Sequence, residues 1–357
     1  MGRRTEVFKR AIGGEIVKVL LSHGGGGRET SELLNRLIFS RLPIDLKRTE
    51  GGIGIDRPDD GAALKMEEGY VIISIDSYTV KPLFFPGGDI GKLAACGSIN
   101  DVLMMGGRPI GIVDAVVVEE GLDMSILEKV MSSFLKVVND ENVPLIGGDL
   151  KVMPKGDVDS IIVTTACLGI TKTPIVDDGI KIGDKIIVSG TIGDHGATIM
   201  ALQRGIDVKE TGLKSDVKAL TDLMEPLLKE YGKYIHAARD PTRGGIAMAL
   251  NDWSKVSGSV IVIYEEKLPI REEVKAYSDM LGVDVLQLAN EGLALLAVDS
   301  AVADDVVEFM HSLGYEKANV IGEVREGRLK GFVLLKTSIG GFRIVEAPIG
   351  SIVPRIC

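Results

Sequence analysis

The chain has 357 residues, 45% of them hydrophobic and 26% charged, a composition typical of a globular protein with room for two domains. Its 51 acidic residues outnumber its 41 basic ones, and the resulting net charge of −10 argues against binding to nucleic acid. Three widely spaced cysteines, Cys96, Cys167 and Cys357, support neither a disulfide framework nor a zinc knuckle. With no signal-peptide core and no apolar run of about 18 residues, we expect a soluble cytoplasmic protein that crosses no membrane.

The first half of the chain alternates strand and helix patterns. Apolar spacing and a Gly-Gly stop predict a helix over 89–107, and β-branched runs predict the strands on either side of it. The other predicted elements are strands over 70–76, 111–119, 143–149 and 159–170, a helix over 122–142 and a linker over 171–179.

The second half repeats this alternation. Its predicted elements are strands over 184–190 and 293–298, loops that enter helices over 191–205 and 240–258, and a helix over 300–314. From about Gly340 the chain is rich in Gly and Pro, which indicates a mobile tail. We therefore predict an α/β protein of the α+β type, whose sheets need not be parallel. Its predicted parts are an N-terminal extension (1–20), an N-terminal domain (21–171), a C-terminal domain (172–340) and the tail (341–357).

Aspartates beside glycines form the strongest pattern in the sequence. They are Asp59, Asp60, Asp76, Asp101, Asp149, Asp194 and Asp240. Carboxylates at loop mouths are ligands that magnesium prefers, and glycine lets backbone N–H groups approach phosphates. The run HGGGGRE (23–29) opens into a predicted helix, as in phosphate-binding loops. Each of these features alone is more often an ordinary turn or helix cap, so together they indicate a nucleotide-handling enzyme without specifying its reaction.

Three further residues have side chains suited to proton chemistry. His195 stands at a predicted helix start, Lys151 follows a glycine-rich turn, and Glu291 precedes an apolar strand. The ordinary interpretations are a capping or core histidine, a solvated lysine and a partnered strand-end acid. The residues taken singly favour those ordinary interpretations.

The motifs taken together resemble one family. HGGGGRE, PLFFPGGDIGKLA, NDVLMMGGRP, GGDLKV, SGTIGDHG, DPTRGG, ANEG and a terminal PRIC occur in the order typical of the HypE carbamoyl dehydratases, and the match runs from about residue 21 to 357. The wider group includes aminoimidazole ribonucleotide synthetase and selenophosphate synthetase. The resemblance implies two α/β domains and a homodimer in which the N-terminal domains pair their sheets.

The resemblance also implies a function for the terminal thiol. In the family, the carbamoyltransferase HypF places a carboxamide on the last cysteine, here Cys357. The enzyme then uses ATP and Mg²⁺ to remove water, which leaves a protein-bound thiocyanate. The cyanide passes to the HypC–HypD complex during [NiFe]-hydrogenase maturation. Each molecule is then both enzyme and substrate, and its tail must move.

Residue by residue, the resemblance assigns three kinds of site. Its catalytic positions are Cys357, Glu291 as proton acceptor, Lys151 as a partner of the amide oxygen, and His195 as a phosphate ligand or proton relay. The nucleotide-binding positions are Gly24, Gly25, Gly26, Gly27, Lys92, Asp101 and Asp149, and the metal positions are Asp59, Asp60, Asp76 and Asp240. The chain departs from the family pattern at Leu150 and Leu293, which flank functional residues.

Two other functions are compatible with parts of the sequence. A synthetase of the wider group that acts on a free small molecule explains the acids and glycines but gives the terminal Cys357 no role. A non-enzymatic scaffold whose tail thiol docks a partner explains the thiol but predicts no ATP turnover. A Cys357→Ala variant should abolish dehydration by a dehydratase and leave the turnover of a free substrate by a synthetase intact.

Overall fold

The computed structural model describes residues 18–208, 210–350 and 355–357. Most of the predicted N-terminal extension lies outside these residues. The two predicted domains are present, and each contains a mixed sheet with helices.

The N-terminal domain contains a five-stranded sheet, a two-stranded hairpin and three helices. Its helices are α1 (Arg28–Leu37), α2 (Ile90–Met104) and α3 (Met124–Asp140). Its strands are β1 (Ala62–Lys65), β2 (Tyr70–Tyr78), β3 (Phe84–Phe85), β4 (Gly88–Asp89), β5 (Arg108–Glu119), β6 (Leu145–Met153) and β7 (Ile161–Thr171). The sheet order is β1-β2-β7-β5-β6, with only β5 and β6 parallel, and β3 pairs with β4 as the hairpin.

Helix α2 lies at the centre of the molecule. Fourteen of its residues are buried, and it begins where the Asp89 carboxylate accepts hydrogen bonds from the Gly91 and Lys92 N–H groups. A helix that is apolar on every face must be covered on every side. Asn100 links α2 to the C-terminal domain, because it donates to the Lys218 carbonyl and accepts from the Leu220 N–H group. Asn100 therefore faces the junction between the domains.

The C-terminal domain contains a seven-stranded sheet. Its helices are α4 (Asp194–Gln203), α5 (Thr221–Tyr231), α6 (Gly245–Ser257), α7 (Glu272–Leu281) and α8 (Ala303–Ser312). Its strands are β8 (Lys185–Val188), β9 (Ile235–Arg239), β10 (Val260–Tyr264), β11 (Leu295–Val298), β12 (Asn319–Arg325), β13 (Phe332–Lys336) and β14 (Phe342–Val345). The sheet order is β14-β13-β10-β12-β8-β11-β9, and β10 and β13 are its parallel pair.

Two elements differ from the sequence prediction. Strand β6 continues to Met153 instead of ending at residue 149, because it pairs with β5 along its full length. The predicted tail begins too early, since residues 342–345 pair with β13 as an edge strand of the sheet. Among the described helices, none is both long and apolar enough to cross a bilayer.

Candidate active site between the two domains

Three carboxylates meet at the junction of the domains. Asp60 precedes β1, Asp101 lies on α2 and Asp240 follows β9, and each offers an oxygen within 4.8 Å of the others. Asp60 Oδ2 and Asp240 Oδ2 are buried and have no hydrogen-bond partner among the described residues. Burial raises the pKa of Asp240 to about 7, with the neighbouring Asp76 adding to the effect. A bound cation would offset this cost, and oxygen ligands in this number suit Mg²⁺.

The two other predicted metal ligands stand beside this cluster. Asp59 accepts hydrogen bonds from the Asp60 and Asp177 N–H groups, which orient the loop before β1. Burial, followed by the charge of Asp177, raises the pKa of Asp59 to about 7. Asp76, on β2, has its closest ionic partner in Arg243, at 3.9 Å. The structure thus gathers Asp60, Asp101 and Asp240 and places Asp59 and Asp76 around them.

A largely buried arginine that the sequence reasoning missed balances part of this charge. Arg239 ends β9 and donates to Asp60 at 3.0 Å, and its guanidinium lies 3.2 Å from Asp177 and 3.3 Å from Asp252. A buried cation surrounded by acids stabilises their ionised forms. Arg239 directly precedes the DPTRGG motif, and that adjacency was the available signal.

The C-terminal residues lie in this junction. The Thr79 N–H group donates to the Cys357 carbonyl at 3.0 Å, and the Lys81 N–H group donates to the Arg355 carbonyl at 3.1 Å. In return, Arg355 Nε donates to the Thr79 carbonyl at 2.7 Å. The last three residues therefore dock along the segment that follows β2, in the manner of an added strand. This contact brings the Cys357 thiol into the site.

His195 holds the same three residues from the opposite side. Its Nε2 lies 2.8 Å from the Ile356 carbonyl and its Nδ1 lies 2.8 Å from the Ser215 hydroxyl. Because a carbonyl only accepts, Nε2 carries the proton, and Nδ1 accepts from Ser215. Burial lowers the pKa of His195 to about 4, so the ring is neutral at physiological pH. The structure therefore places His195 on the tail backbone.

Glu291 is buried beside the thiol. Its side chain is 1% exposed, and its Oε1 has no hydrogen-bond partner in the described part of the chain. Burial, followed by the charges of Asp240 and Asp216, raises the pKa of Glu291 well above its usual value. Burial and the charge of Glu291 likewise raise the pKa of the Cys357 thiol. A carboxyl group with these properties and a free oxygen is suited to proton transfer.

The turn that presents Glu291 is held by a second buried acid. Asp216 accepts from the Glu291 N–H group at 3.2 Å, from the Gly292 N–H group at 3.1 Å and from the Asn290 amide at 2.8 Å. Such a network fixes the backbone from which the Glu291 side chain extends. The sequence reasoning singled out the ANEG motif but missed Asp216, which lies 75 residues earlier.

The glycine run contacts the chain that leads to the tail. A side chain at Gly26, whose φ is +74°, would meet the Arg243 side chain, and one at Gly27 would meet the Pro348 carbonyl. The Gly24 carbonyl accepts from Arg243, and Gly25 lines a small cavity with Arg243 and Ile356. The glycines thus permit close approach to Arg243 and to the tail segment.

Three predicted residues lie away from these groups. Lys92, in the first turn of α2, donates to the Gly87 carbonyl at 3.0 Å and caps that loop. Lys151 and Asp149 are exposed on β6 and pair with each other at 2.7 Å. Strand β6 is an edge of the sheet, three strands away from β2, and Lys151 makes none of the described contacts with the docked tail, so its role at the Cys357 group stays a prediction.

Comparison with known proteins shows that the chain matches two domain families and is similar to hydrogenase maturation proteins. Residues 58–171 match the N-terminal domain of AIR synthase related proteins, and residues 181–334 match the C-terminal domain of the same group. A putative hydrogenase expression/formation protein of Methanocaldococcus jannaschii is 40% identical over 96% of this chain and 100% of its own length. Carbamoyl dehydratase HypE of Cupriavidus necator is 35% identical over 98% of both chains.

Solved structures agree with these relatives. A HypE–HypF complex contains a chain that is 38% identical, with a TM-score of 0.80 over 90% of this chain and 100% of that one. HypE in complex with ATP is 36% identical, with a TM-score of 0.77 over 95% of this chain and 100% of that one. The likeness extends through both domains.

Proposed function

Because the chain belongs to the HypE family, we propose that it is an ATP-dependent carbamoyl dehydratase that acts on its own C-terminal residue, Cys357. The observation that carries this proposal is the docking of Cys357 beside Glu291, next to the carboxylate cluster. The substrate is a carboxamide on the Cys357 sulfur, and the product is a thiocyanate on the same atom.

The reaction requires ATP because an amide oxygen is a poor leaving group. Transfer of the γ-phosphoryl group to that oxygen converts it into part of a phosphate ion. The C–O bond then breaks, both N–H protons leave, and a carbon–nitrogen triple bond remains. The products are the thiocyanate, ADP, phosphate and a proton, so all atoms balance. Positioning and charge stabilisation supply most of the catalysis in phosphoryl transfer.

The residues of the junction divide this task. Asp60, Asp101 and Asp240 would hold magnesium, which when bound offsets the negative charge of the phosphates. Thr79 binds the carbonyl oxygen of Cys357 and His195 binds the carbonyl of Ile356, which fixes the backbone of the reacting cysteine. Glu291 accepts an amide proton through its partnerless oxygen. With these roles, the carboxamide lies between Glu291, which accepts its protons, and the aspartate cluster, which binds the phosphates through magnesium.

The proposed partners follow from the relatives. The solved HypE–HypF complex supports a HypF-type carbamoyltransferase as the source of the carboxamide. A HypC–HypD complex would accept the cyanide in the cytoplasm for [NiFe]-hydrogenase maturation. Since the docked thiol is partly buried, the tail must leave the junction to meet either partner.

The test is a mass measurement on the C-terminal peptide. The protein is carbamoylated by its HypF partner and then supplied with Mg²⁺ and ATP. We expect the Cys357 adduct to lose one water, matched by one phosphate released. Cys357→Ala is the control and should carry no adduct. A carboxamide that persists in the presence of ATP contradicts the dehydratase, and ATP turnover by Cys357→Ala on a free substrate identifies a synthetase instead.

A further inference from the structure

A buried tyrosine hydroxyl near the tail has no assigned role. Tyr78 is the last residue of β2 and is 2% exposed. Its hydroxyl oxygen is buried and has no hydrogen-bond partner among residues 18–208, 210–350 and 355–357. A polar group left in this state costs stability, and such groups occur where a ligand completes the bonding.

The strand and helix around Tyr78 leave room for this hydroxyl. Ser74, Asp76 and Tyr78 alternate along β2 and share one face of the sheet. Ser74 hydrogen-bonds to Asp101 of α2, and Gly97 lies one helical turn before Asp101. A Cβ atom at Gly97 would lie 2.0 Å from the Tyr78 hydroxyl oxygen. Gly97 therefore provides the space that the hydroxyl occupies, and that space lies along the same strand face as Asp76.

The neighbours of this hydroxyl are parts of the reaction centre. Thr79, the next residue, donates to the Cys357 carbonyl through both its N–H group and its hydroxyl. Cys357 packs against the hydrophobic cluster that contains Tyr78, and burial, followed by the charges of Asp76, Asp101, Glu291 and Cys357, raises the pKa of the Tyr78 hydroxyl. Glu291 also presents a partnerless oxygen, but as a proton acceptor. The Tyr78 hydroxyl is thus a buried donor with no partner among the described residues, Glu291 Oε1 is an acceptor in the same state, and the Arg243 guanidinium beside Asp76 is a second donor.

A carboxamide has the complementary pair of groups. Its oxygen accepts hydrogen bonds, and its NH₂ group donates them. An ionised carboxylate, such as Asp76 or Glu291, only accepts hydrogen bonds, so it can bind the NH₂ group of the carboxamide but not its oxygen. We propose that the Tyr78 hydroxyl binds the oxygen of the carboxamide carried on Cys357, while Glu291 faces the nitrogen. This inference rests on the proposed function and identifies a further substrate-binding residue for it.

The assignment gives Tyr78 a defined part in the chemistry. Its hydrogen bond orients the amide oxygen and polarises the C–O bond that later breaks, and no proton is transferred by the phenol. A positioned donor of this kind typically contributes about 10²–10³-fold to the rate when it contacts an oxygen on which charge develops.

The decisive variant is Tyr78→Phe, which keeps the ring and removes the oxygen. The matched control is Tyr70→Phe, at the opposite end of the same strand. Three quantities are measured: the rate of carbamoylation by the HypF partner, the single-turnover rate of water loss with saturating ATP, and the thermal midpoint before and after carbamoylation. We expect Tyr78→Phe to be carbamoylated normally and to lose water at least about 10-fold more slowly than the wild type.

The thermal midpoints separate substrate binding from structure. Because the hydroxyl has no partner in the described chain, removing it should leave the midpoint of the unmodified protein unchanged or higher. Carbamoylation should raise the midpoint of the wild type and of Tyr70→Phe more than that of Tyr78→Phe. A lower midpoint of unmodified Tyr78→Phe would show a structural hydroxyl and overturn the proposal, as would equal rates and equal shifts.

This design distinguishes two failures. If the wild-type carboxamide loses no water at all, the dehydratase fails, but the carbamoylation-dependent midpoint still reports whether Tyr78 binds the adduct. If the wild type loses water and Tyr78→Phe keeps pace, the dehydratase stands and the Tyr78 assignment is wrong.

Discussion

At the scale of single residues, several buried oxygen atoms of the site have no hydrogen-bond partner in the described part of the chain. Most buried polar atoms are hydrogen-bonded, so oxygens of Asp60, Asp240 and Glu291 that have no partner within the described ranges indicate ligand binding in this region. Asp60 and Asp240 share their cluster with Asp101, whereas Glu291 lies beside Cys357. The difference in position predicts a difference in role, with the aspartates binding and Glu291 reacting.

We expect Glu291→Gln to abolish most dehydration. The amide is close in shape to the carboxyl group but cannot accept the amide protons, so water loss from carbamoylated protein should slow by about 10²–10⁴-fold. Carbamoylation of Cys357 should continue, since the thiol is unchanged. The matched control is Glu308→Gln, an exposed position on α8. Dehydration by Glu291→Gln at the wild-type rate would remove Glu291 from the mechanism.

His195 makes a separate prediction about pH. Its pKa is about 4 in the folded protein and about 6.5 when unfolded, so between these values the unfolded chain binds the extra proton. Stability therefore falls as the pH decreases from 7 to 4, and this residue alone accounts for about 3 kcal/mol of that loss. The buried aspartates, whose pKa values are raised, act in the opposite direction, so a variant is needed to isolate the effect.

The comparison variant is His195→Gln, whose amide can still donate to the Ile356 carbonyl. Denaturant unfolding at pH 7 and pH 4 should show the wild type losing about 3 kcal/mol relative to His195→Gln. His311→Gln, an exposed position on α8, serves as the control and should follow the wild type. Parallel pH profiles for wild type and His195→Gln would show that folding does not lower the pKa of His195.

At the scale of elements, an ion-pair cluster at the surface holds the docked tail. Asp159 accepts from Lys81 at 2.7 Å and also binds the Arg355 guanidinium. These hydrogen bonds, that of Lys81 first, lower the pKa of Asp159 to about 2. Asp159 is half exposed, and exposed ion pairs contribute no more than about 1 kcal/mol. The pair is therefore strong enough to bias docking and weak enough to permit release.

Asp159→Asn should make the Cys357 thiol react faster with a thiol reagent at pH 8. Loss of about 1 kcal/mol of docking energy predicts a rate increase of up to about 5-fold. Cys96 and Cys167 are buried, with the pKa of each raised to about 12, so their reaction should be slow and separable. Asp157→Asn, in the same exposed loop, is the control. Equal thiol reactivity in both variants would mean that Asp159 does not hold the tail.

The elements also show how far the sequence could predict the fold. The helix expected over 89–107 is confirmed as α2, because its apolar residues and its Asp89 cap are local signals. Strand β14 was missed, since its four residues are mostly exposed and only pairing with β13 defines them. β6 was predicted too short because glycines usually end a strand, while its pairing with β5 carries it through Gly147 and Gly148.

Some residues of the candidate site could likewise be predicted from the sequence, and others could not. Membership in the HypE family is confirmed, and the motifs that indicated it contain two of the three cluster aspartates, Asp101 and Asp240. Arg239, Asp216 and Tyr78 were not found, because each acts through contacts with residues far away in the chain. A single sequence carries no direct signal for such contacts. In the sequence, Tyr78 has the pattern of an ordinary strand residue, and only the structure shows its close contact with Gly97.

At the scale of the whole molecule, the position of Lys151 raises a question about assembly. Strand β6 forms an edge of its sheet, and apolar side chains beside Lys151 are exposed there, with Ile146 at 60%, Leu150 at 56% and Val152 at 65%. An unpaired apolar edge favours pairing with a second copy of the chain. We therefore expect a homodimer through β6, in which Lys151 serves the Cys357 group of the other subunit.

Mixed dimers test this arrangement directly. Lys151→Ala and Cys357→Ala are each expected to be inactive alone, the first because it lacks the lysine and the second because it lacks the substrate thiol. After the two are denatured together and refolded, half of the dimers should be mixed. Each mixed dimer then holds one Cys357 that the lysine of the Cys357→Ala subunit can serve, so carbamoylation followed by ATP should restore dehydration at about a quarter of all subunits. A mixture that stays inactive would show that Lys151 does not act across subunits, and an active Lys151→Ala protein would show that the lysine is not needed.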